Sequence, residues 1–322
     1  MELFKKPNID FIGLRWYPIA VSVLVLACSL ASIGLKGFNY SIEFTGGTLL
    51  QISFPFNSKI QVDGVRKALE SEGLKTEIQS VEGGRPTFIL REQVTEDAEA
   101  TVYANKALAI LKRAFPEFAP TLDRKDVIGP VVGKDLRRRT VWAILLSLLG
   151  ILVYVAYRFE NPIWSLAGVV ALFHDVIGVA GLFSFLGLQM DLLIVTALLT
   201  IAGYSISDSI VVFDRMREKL RADRTHDLRT LIDSSINETL SRTVITVLTV
   251  QIVSMTILFF GGPVLHNFAL AMVVGNLLGT YSSIAVAAPL VYEYQMRFGG
   301  KRSQHSPESA PTINVKEGRR RR

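Results

Sequence analysis

The sequence predicts an α-helical integral membrane protein of six transmembrane helices, interrupted after the first by an inserted α+β domain. Three observations predict it. The charged fraction is 20% with a mean hydropathy of +0.34 over 322 residues, which is low in charge for a soluble chain. Six apolar runs are long enough to cross the ~30 Å hydrocarbon core of a bilayer. Between the first and second runs, the segment from Lys36 to Thr140 has the mixed patterning of a soluble domain. The expected organisation is an N-terminus and first helix over 1–35, an extracytoplasmic domain over 36–140, a five-helix bundle over 141–297 and a disordered basic tail over 298–322.

The first run, Trp16 to Leu35, carries no charge before Lys36, and Trp16 and Tyr17 supply an interfacial aromatic belt at one end. A cleaved signal peptide has a shorter apolar core and a small-residue cleavage site, so this run reads as an uncleaved anchor. The others fall at Val141–Tyr157, Ile163–Leu186, Asp191–Phe213, Val244–Phe260 and Phe268–Tyr292. Basic residues in short connections stay on the cytoplasmic side. Lys5, Lys6 and Arg15 precede the first run, and Arg158 follows the second. Arg215, Arg217, Lys219, Arg221, Arg224 and Arg229 join the fourth to the fifth, and Lys301, Arg302 and Arg319 to Arg322 lie in the tail. With an even number of spans, these place both termini in the cytoplasm. The Arg137-Arg138-Arg139 cluster beside the second run opposes that trend. The net charge of +6 and the pI near 9.4 are explained by such loops, with no need of nucleic acid; the tail could also meet anionic membrane lipids.

Within the inserted segment, Ile42 and Phe44, then Leu50, Ile52 and Phe54, alternate around Thr45-Gly46-Gly47, which predicts strand, turn, strand. Val62, Val65, Ala68 and Leu69 recur at helical spacing up to Gly73. Glu77–Val81 and Thr87–Leu90 flank Glu82-Gly83-Gly84-Arg85-Pro86, a second hairpin. A helix capped by Thr95 places Val102, Leu108, Leu111 and Phe115 on one face, and a last strand runs from Thr121 to Ile128. The order β-β-α-β-β-α-β fits helices packed on one antiparallel sheet, of ferredoxin-like kind.

Several enzyme classes lack their minimum parts. There is no Gly-x-Ser-x-Gly, no His-Glu-x-x-His and no Gly-x-x-x-x-Gly-Lys-Ser/Thr. Cys28 is the only cysteine, and His174, His226, His266 and His305 are scattered, so no metal cluster, and no cofactor, is expected. The chain does not read as an enzyme.

What remains is polarity where polarity is expensive. An ionisable group in hydrocarbon needs a partner or a watery cavity. The fourth run carries Tyr204-Ser205-Ile206-Ser207-Asp208-Ser209, and the third carries His174-Asp175. Asp208 lies about 10 Å inside the membrane if that run ends near Arg215, and Arg242 enters the fifth run from the same face at similar depth. Proton or ion handling by Asp208 stands against a structural role on a packing face, held by Ser205 and Ser209. Arg242 stands as a partner for it or as a snorkelling interfacial residue. His174-Asp175 fits an interhelical hydrogen bond, Asp214 fits the interface, and Gly275-x-x-x-Gly279 fits close helix packing.

A resemblance spans most of the chain, from about Arg15 to Tyr292. It is carried by Ile42-Glu43-Phe44-Thr45-Gly46-Gly47-Thr48, Ile128-Gly129-Pro130-Val131-Val132-Gly133, the run from Gly203 to Arg215, and Thr239-Leu240-Ser241-Arg242-Thr243. Phe260-Gly261-Gly262-Pro263, Arg158-Phe159-Glu160 and Gly279-Thr280-Tyr281-Ser282-Ser283 add to it. Jointly these motifs resemble the SecD/SecF family of bacterial protein-export membrane proteins, on its smaller, SecF side. Glu43 stands where the family commonly has Asp, and Ser207 where it commonly has Asn.

The resemblance implies membership of the resistance-nodulation-division superfamily and a place in the bacterial inner membrane. It implies a SecD-like subunit as partner, and work beside the SecYEG channel and the SecA motor on a translocating preprotein, powered by the proton motive force. It assigns the membrane proton relay to Asp208, with Arg242 as its basic partner and a second acid on the other subunit. His174, Asp175, Ser205 and Ser209 are possible supporting polar residues. The alternatives are a half-transporter of the same superfamily for small molecules or lipids, and an assembly factor in which Asp208 is dispensable.

Overall fold

The computed structural model describes residues 7–74, 76–81, 84–94, 96–159, 162–222 and 227–298. The expected tail after Phe298, the cap at Thr95, Glu160, Arg224, His226 and the Glu82-Gly83 part of the second hairpin lie outside them.

The chain opens with α1 (Trp16–Lys36), ended by Gly37 at φ +69°. It continues through β1 (Asn39–Tyr40), α2 (Ile42–Thr45), β2 (Gly47–Ser53), α3 (Val62–Ser71), β3 (Glu77–Val81), β4 (Thr87–Glu92), α4 (Asp97–Ala114) and β5 (Thr121–Ile128). Then come α5 (Pro130–Arg158), α6 (Pro162–Leu186), β6 (Gln189–Met190), α7 (Leu192–Ala222), α8 (Leu228–Phe260) and α9 (Gly262–Ser282). A π-helical turn at Ser283–Ala287 leads into α10 (Ala288–Phe298). Among the described residues, six helical segments are long and apolar enough to cross a membrane: α1, α5, α6, α7, α8 and the continuous Val264–Phe298 segment.

Three of these helices outrun their apolar stretches. α5 starts at Pro130, whose missing N–H and fixed φ suit a first helical position, so Arg137 to Arg139 ride on an extension of the second span. Arg139 pairs with Asp135 at 2.7 Å, and the Arg137 guanidinium lies 5.4 Å from the Tyr40 ring centre. α7 and α8 likewise extend past Phe213 and before Val244, and are bound there by Arg215, which pairs with Glu218 at 2.5 Å and also with Glu238.

The inserted segment holds a four-stranded antiparallel sheet in the order β3-β4-β2-β5, reached through the sequence β2-α3-β3-β4-α4-β5. Successive side chains on a strand face opposite ways. Leu50 and Ile52 of β2 and Phe88 and Leu90 of β4 are therefore buried together against Val65 and Leu69 of α3 and Ala107 and Leu111 of α4. Val102, expected on that face, is 67% exposed; Tyr103, one position on, is buried instead and keeps i, i+4 step with Ala107 and Leu111. Tyr103 shares a 2.5 Å hydrogen bond with Thr76, and burial pushes its phenol up to about 12.

The strand expected over Ile42 to Phe44 is instead the short helix α2. Ser41 accepts at its start from the Glu43 N–H at 3.1 Å, and Gly46 and Gly47, at φ +77° and +131°, turn the chain out of it. A Cβ on Gly47 would lie 2.7 Å from the Glu92 carbonyl, so neither the conformation nor the space admits a side chain. A two-residue strand, unexpected from the sequence, precedes α2. β1 pairs in parallel with β6, Asn39 opposite Gln189 and Tyr40 opposite Met190, which ties the root of the domain to the α6–α7 turn.

Candidate functional site

α6, α7 and α9 pack against one another inside the bundle, and their meeting line carries the polar residues. Asp175 on α6 is fully buried and has three polar partners: His174 Nδ1 at 2.9 Å, and the hydroxyls of Ser205 on α7 and Ser282 on α9, which donate at 2.5 and 2.7 Å. The expected interhelical bond at His174-Asp175 is therefore present, and it joins three helices. The His174 ring also lies 6.2 Å from Tyr281, whose hydroxyl donates to the Pro18 carbonyl of α1 at 2.5 Å.

Asp208 lies one turn beyond Ser205 on α7 and is only half-buried. Among the described residues it has neither an ion pair within 4.0 Å nor a hydrogen-bond partner. The structural alternative had Ser205 and Ser209 holding Asp208; instead Ser205 turns to Asp175, and Ser209 Oγ is buried with no partner among the described residues. Asp208 instead lines a cavity of ≈ 10 Å³ between α7, α8 and α9, with Ser205, Thr246, Asn276 and Thr280. Gly275 lets α9 come this close, since a Cβ there would fall 2.2 Å from the Ile201 side chain; at Gly279 it would lie 3.3 Å from Ser205 Cβ. Close packing at the Gly275-x-x-x-Gly279 pair is as the sequence suggested.

Arg242 on α8 is exposed and faces other spaces. It lines a ≈ 450 Å³ cavity with Tyr154, Gly203, Ser207 and Asp214, and a ≈ 970 Å³ cavity with Asp10, Asp233 and Asn237 of the end where the N-terminal segment docks. It lies close enough to act on Asp208 electrostatically, without contact. Asp214 is paired with Arg158. At that same end Asn237 exchanges two hydrogen bonds with the Ile9 backbone, at 3.0 and 2.8 Å, and Arg229 holds the Asp10 carboxyl below its ordinary range.

The opposite end of α7 is tied to the inserted domain. Glu43 accepts from the Leu192 N–H at 2.8 Å, at the positive end of the helix that bears Asp208. Arg91 of β4 donates to Gln189 at 2.5 Å, Gln79 at 2.7 Å and Glu77 at 3.1 Å, and its burial lowers the guanidinium pKa. Asp191 beside them accepts from the Ile194 N–H at 2.8 Å. Sequence reasoning missed Ser282, Asn276, Thr246 and the π turn; Ser282 sat in a quoted motif, whereas Asn276 lay unremarked inside the glycine pair. Among the described residues no group of three or more His, Cys, Asp or Glu is arranged to hold a metal ion.

The family model described as protein export membrane protein SecD/SecF, C-terminal, matches residues 109–297, and the SecD/SecF GG motif model matches residues 31–54. The chain belongs to the SecD/SecF family. Among SecD/SecF relatives, the protein translocase subunit SecF of Endomicrobium trichonymphae is 38% identical over 92% of this chain and 94% of its own length. That of Thermodesulfovibrio yellowstonii is 39% identical over 90% of this chain and 96% of its own. The crystal structure of SecDF, a translocon-associated membrane protein from Thermus thermophilus, superposes with a TM-score of 0.79 at 39% identity, covering 90% of this chain and 39% of that one. This chain thus spans well under half the length of that SecDF. It is a multi-pass membrane protein of the Sec protein-translocation pathway.

Proposed function

We propose that this chain is a SecF-type subunit that pairs with a SecD-like subunit in the bacterial inner membrane and uses the proton motive force to promote preprotein export through SecYEG after SecA-driven insertion. The observation that carries the reading is Asp208, a carboxylate on a spanning helix with no direct partner among the described residues yet within electrostatic reach of Arg242. Ionisation of a carboxylate is costly in hydrocarbon and favoured by a neighbouring guanidinium. A small helix movement that changes their separation therefore changes whether Asp208 holds a proton. Asp175, with three hydrogen-bond partners, is by contrast a clamp between helices. We read the β2-α3-β3-β4-α4-β5 domain as ferredoxin-like and extracytoplasmic, with both termini cytoplasmic, because the sheet order and the basic loops agree with that arrangement.

The pairing is supported by Arg242 on α8 and Ser207 on α7, exposed polar residues around one ≈ 450 Å³ cavity that a second subunit would cover. Deletion of the SecD-like partner tests it. The expected outcome is a reduced level of this chain and loss of its export stimulation; normal accumulation with undiminished export contradicts the pairing.

A further inference from the structure

Asn276 is 6% exposed, and its Nδ2 has no hydrogen-bond partner among the described residues. An amide N–H left unpaired in a membrane interior is expensive, so this group calls for an acceptor. The cavity it lines supplies one at one remove. Asp208 borders the same space, and so do Thr246 and Thr280. Those two hydroxyls spend their protons on the Arg242 and Asn276 carbonyls, at 3.0 and 2.9 Å, so toward the cavity they can only accept. The volume of ≈ 10 Å³ matches one water molecule, which needs two to four polar partners. A water here would accept from Asn276 Nδ2 and donate to Asp208 and to a threonine. A metal cation does not suit the space, because hard cations gather six or more oxygen ligands and Nδ2 presents hydrogens.

We propose that Asn276 positions a single water against the Asp208 carboxylate, and that protons reach and leave Asp208 through that water. The proposal rests on the proton-relay reading of Asp208 and adds a positioning residue to it. When Asp208 is protonated, the water breaks one O–H bond toward the carboxylate. It forms another on its free lone pair with a proton from a hydronium ion in the adjoining water, which becomes neutral water, so the held water ends neutral and still bound by Nδ2. Release runs the same steps backwards.

The test is proton-motive-force stimulation of preprotein translocation in membrane vesicles holding the full complex, with the rate under ATP alone as baseline. Asn276→Leu fills the space and should cut stimulation by about tenfold, the weight of one lost hydrogen bond at the step, with the baseline unchanged. Asn276→Ala should lose most of it, and Asn276→Gln, which keeps an amide N–H donor, should regain most of it, a rescue that mere packing does not give. If Asn276→Leu accumulates poorly, the alanine and glutamine variants decide. Full stimulation in Asn276→Ala, or a glutamine variant no better than alanine, overturns the water while Asp208→Asn in the same vesicles remains inactive. Full stimulation in Asp208→Asn removes the relay itself, and this proposal with it.

Discussion

Two carboxylates, Asp175 and Asp208, belong to the same polar seam and differ in what surrounds them. Asp175 is held by His174, Ser205 and Ser282, whereas Asp208 meets no donor directly among the described residues. Three hydrogen bonds fix Asp175 between the helices, whereas Asp208 is left to neighbours that can move. The seam depends on the small size of Gly275. Gly275→Ala places its methyl within 2.2 Å of the buried Ile201 side chain, and overpacking of this kind costs about 1–3 kcal/mol. The expected outcome is a lower thermal unfolding midpoint in detergent. Gly150→Ala, where nothing lies within 4 Å, should leave it unchanged or raise it; equal midpoints for both variants contradict the packing account. The rule that charge is expensive in hydrocarbon made Asp208, Arg242, His174 and Asp175 legible in the sequence. It could not say which acid Ser205 serves, because i, i+3 spacing names a neighbour on the same helix and interhelical register is not written along one chain. Asn276 escaped for a related reason: a neutral amide between two glycines carries no charge to flag it.

At the scale of elements, long apolar runs and turn residues were legible and local competition was not. The first, third and fourth spans begin within a residue of their expected starts, because uninterrupted apolar sequence has one stable solution in a membrane. The helices α5, α7 and α8 continue beyond that sequence because an α-helix, once nucleated, adds polar residues cheaply where ion pairs hold them. At Ile42 to Thr45 alternation suggested a strand, but the Ser41 cap and the two glycines favour a single helical turn, which leaves β2 to pair with β4 and β5. The topology that these spans imply is testable on a Cys28→Ser background. Ser80→Cys on β3 should react with an impermeant thiol reagent from outside the cell, and Glu218→Cys at the far end of α7 only after the cytoplasmic face is opened. Labelling of Ser80→Cys from the cytoplasmic side alone overturns the assignment.

Over the whole molecule, the inserted domain and the membrane acid are linked by one helix. Glu43 caps α7 at Leu192, Arg91 grips Gln189 beside it, and β1 pairs with β6 at the same junction. Asp208 lies about 24 Å further along α7, at 1.5 Å per residue. Under the proposed relay, proton binding at Asp208 and movement of the domain would be linked through that helix, and any such linkage runs in both directions. The central claim is that Asp208 couples by taking up and releasing a proton. Asp208→Asn keeps the size and hydrogen-bonding capacity of the side chain and removes its titration. In vesicles carrying this variant at the normal level, the account predicts that preprotein translocation falls to the rate seen with ATP alone and no longer responds to the proton motive force; a full response would contradict it.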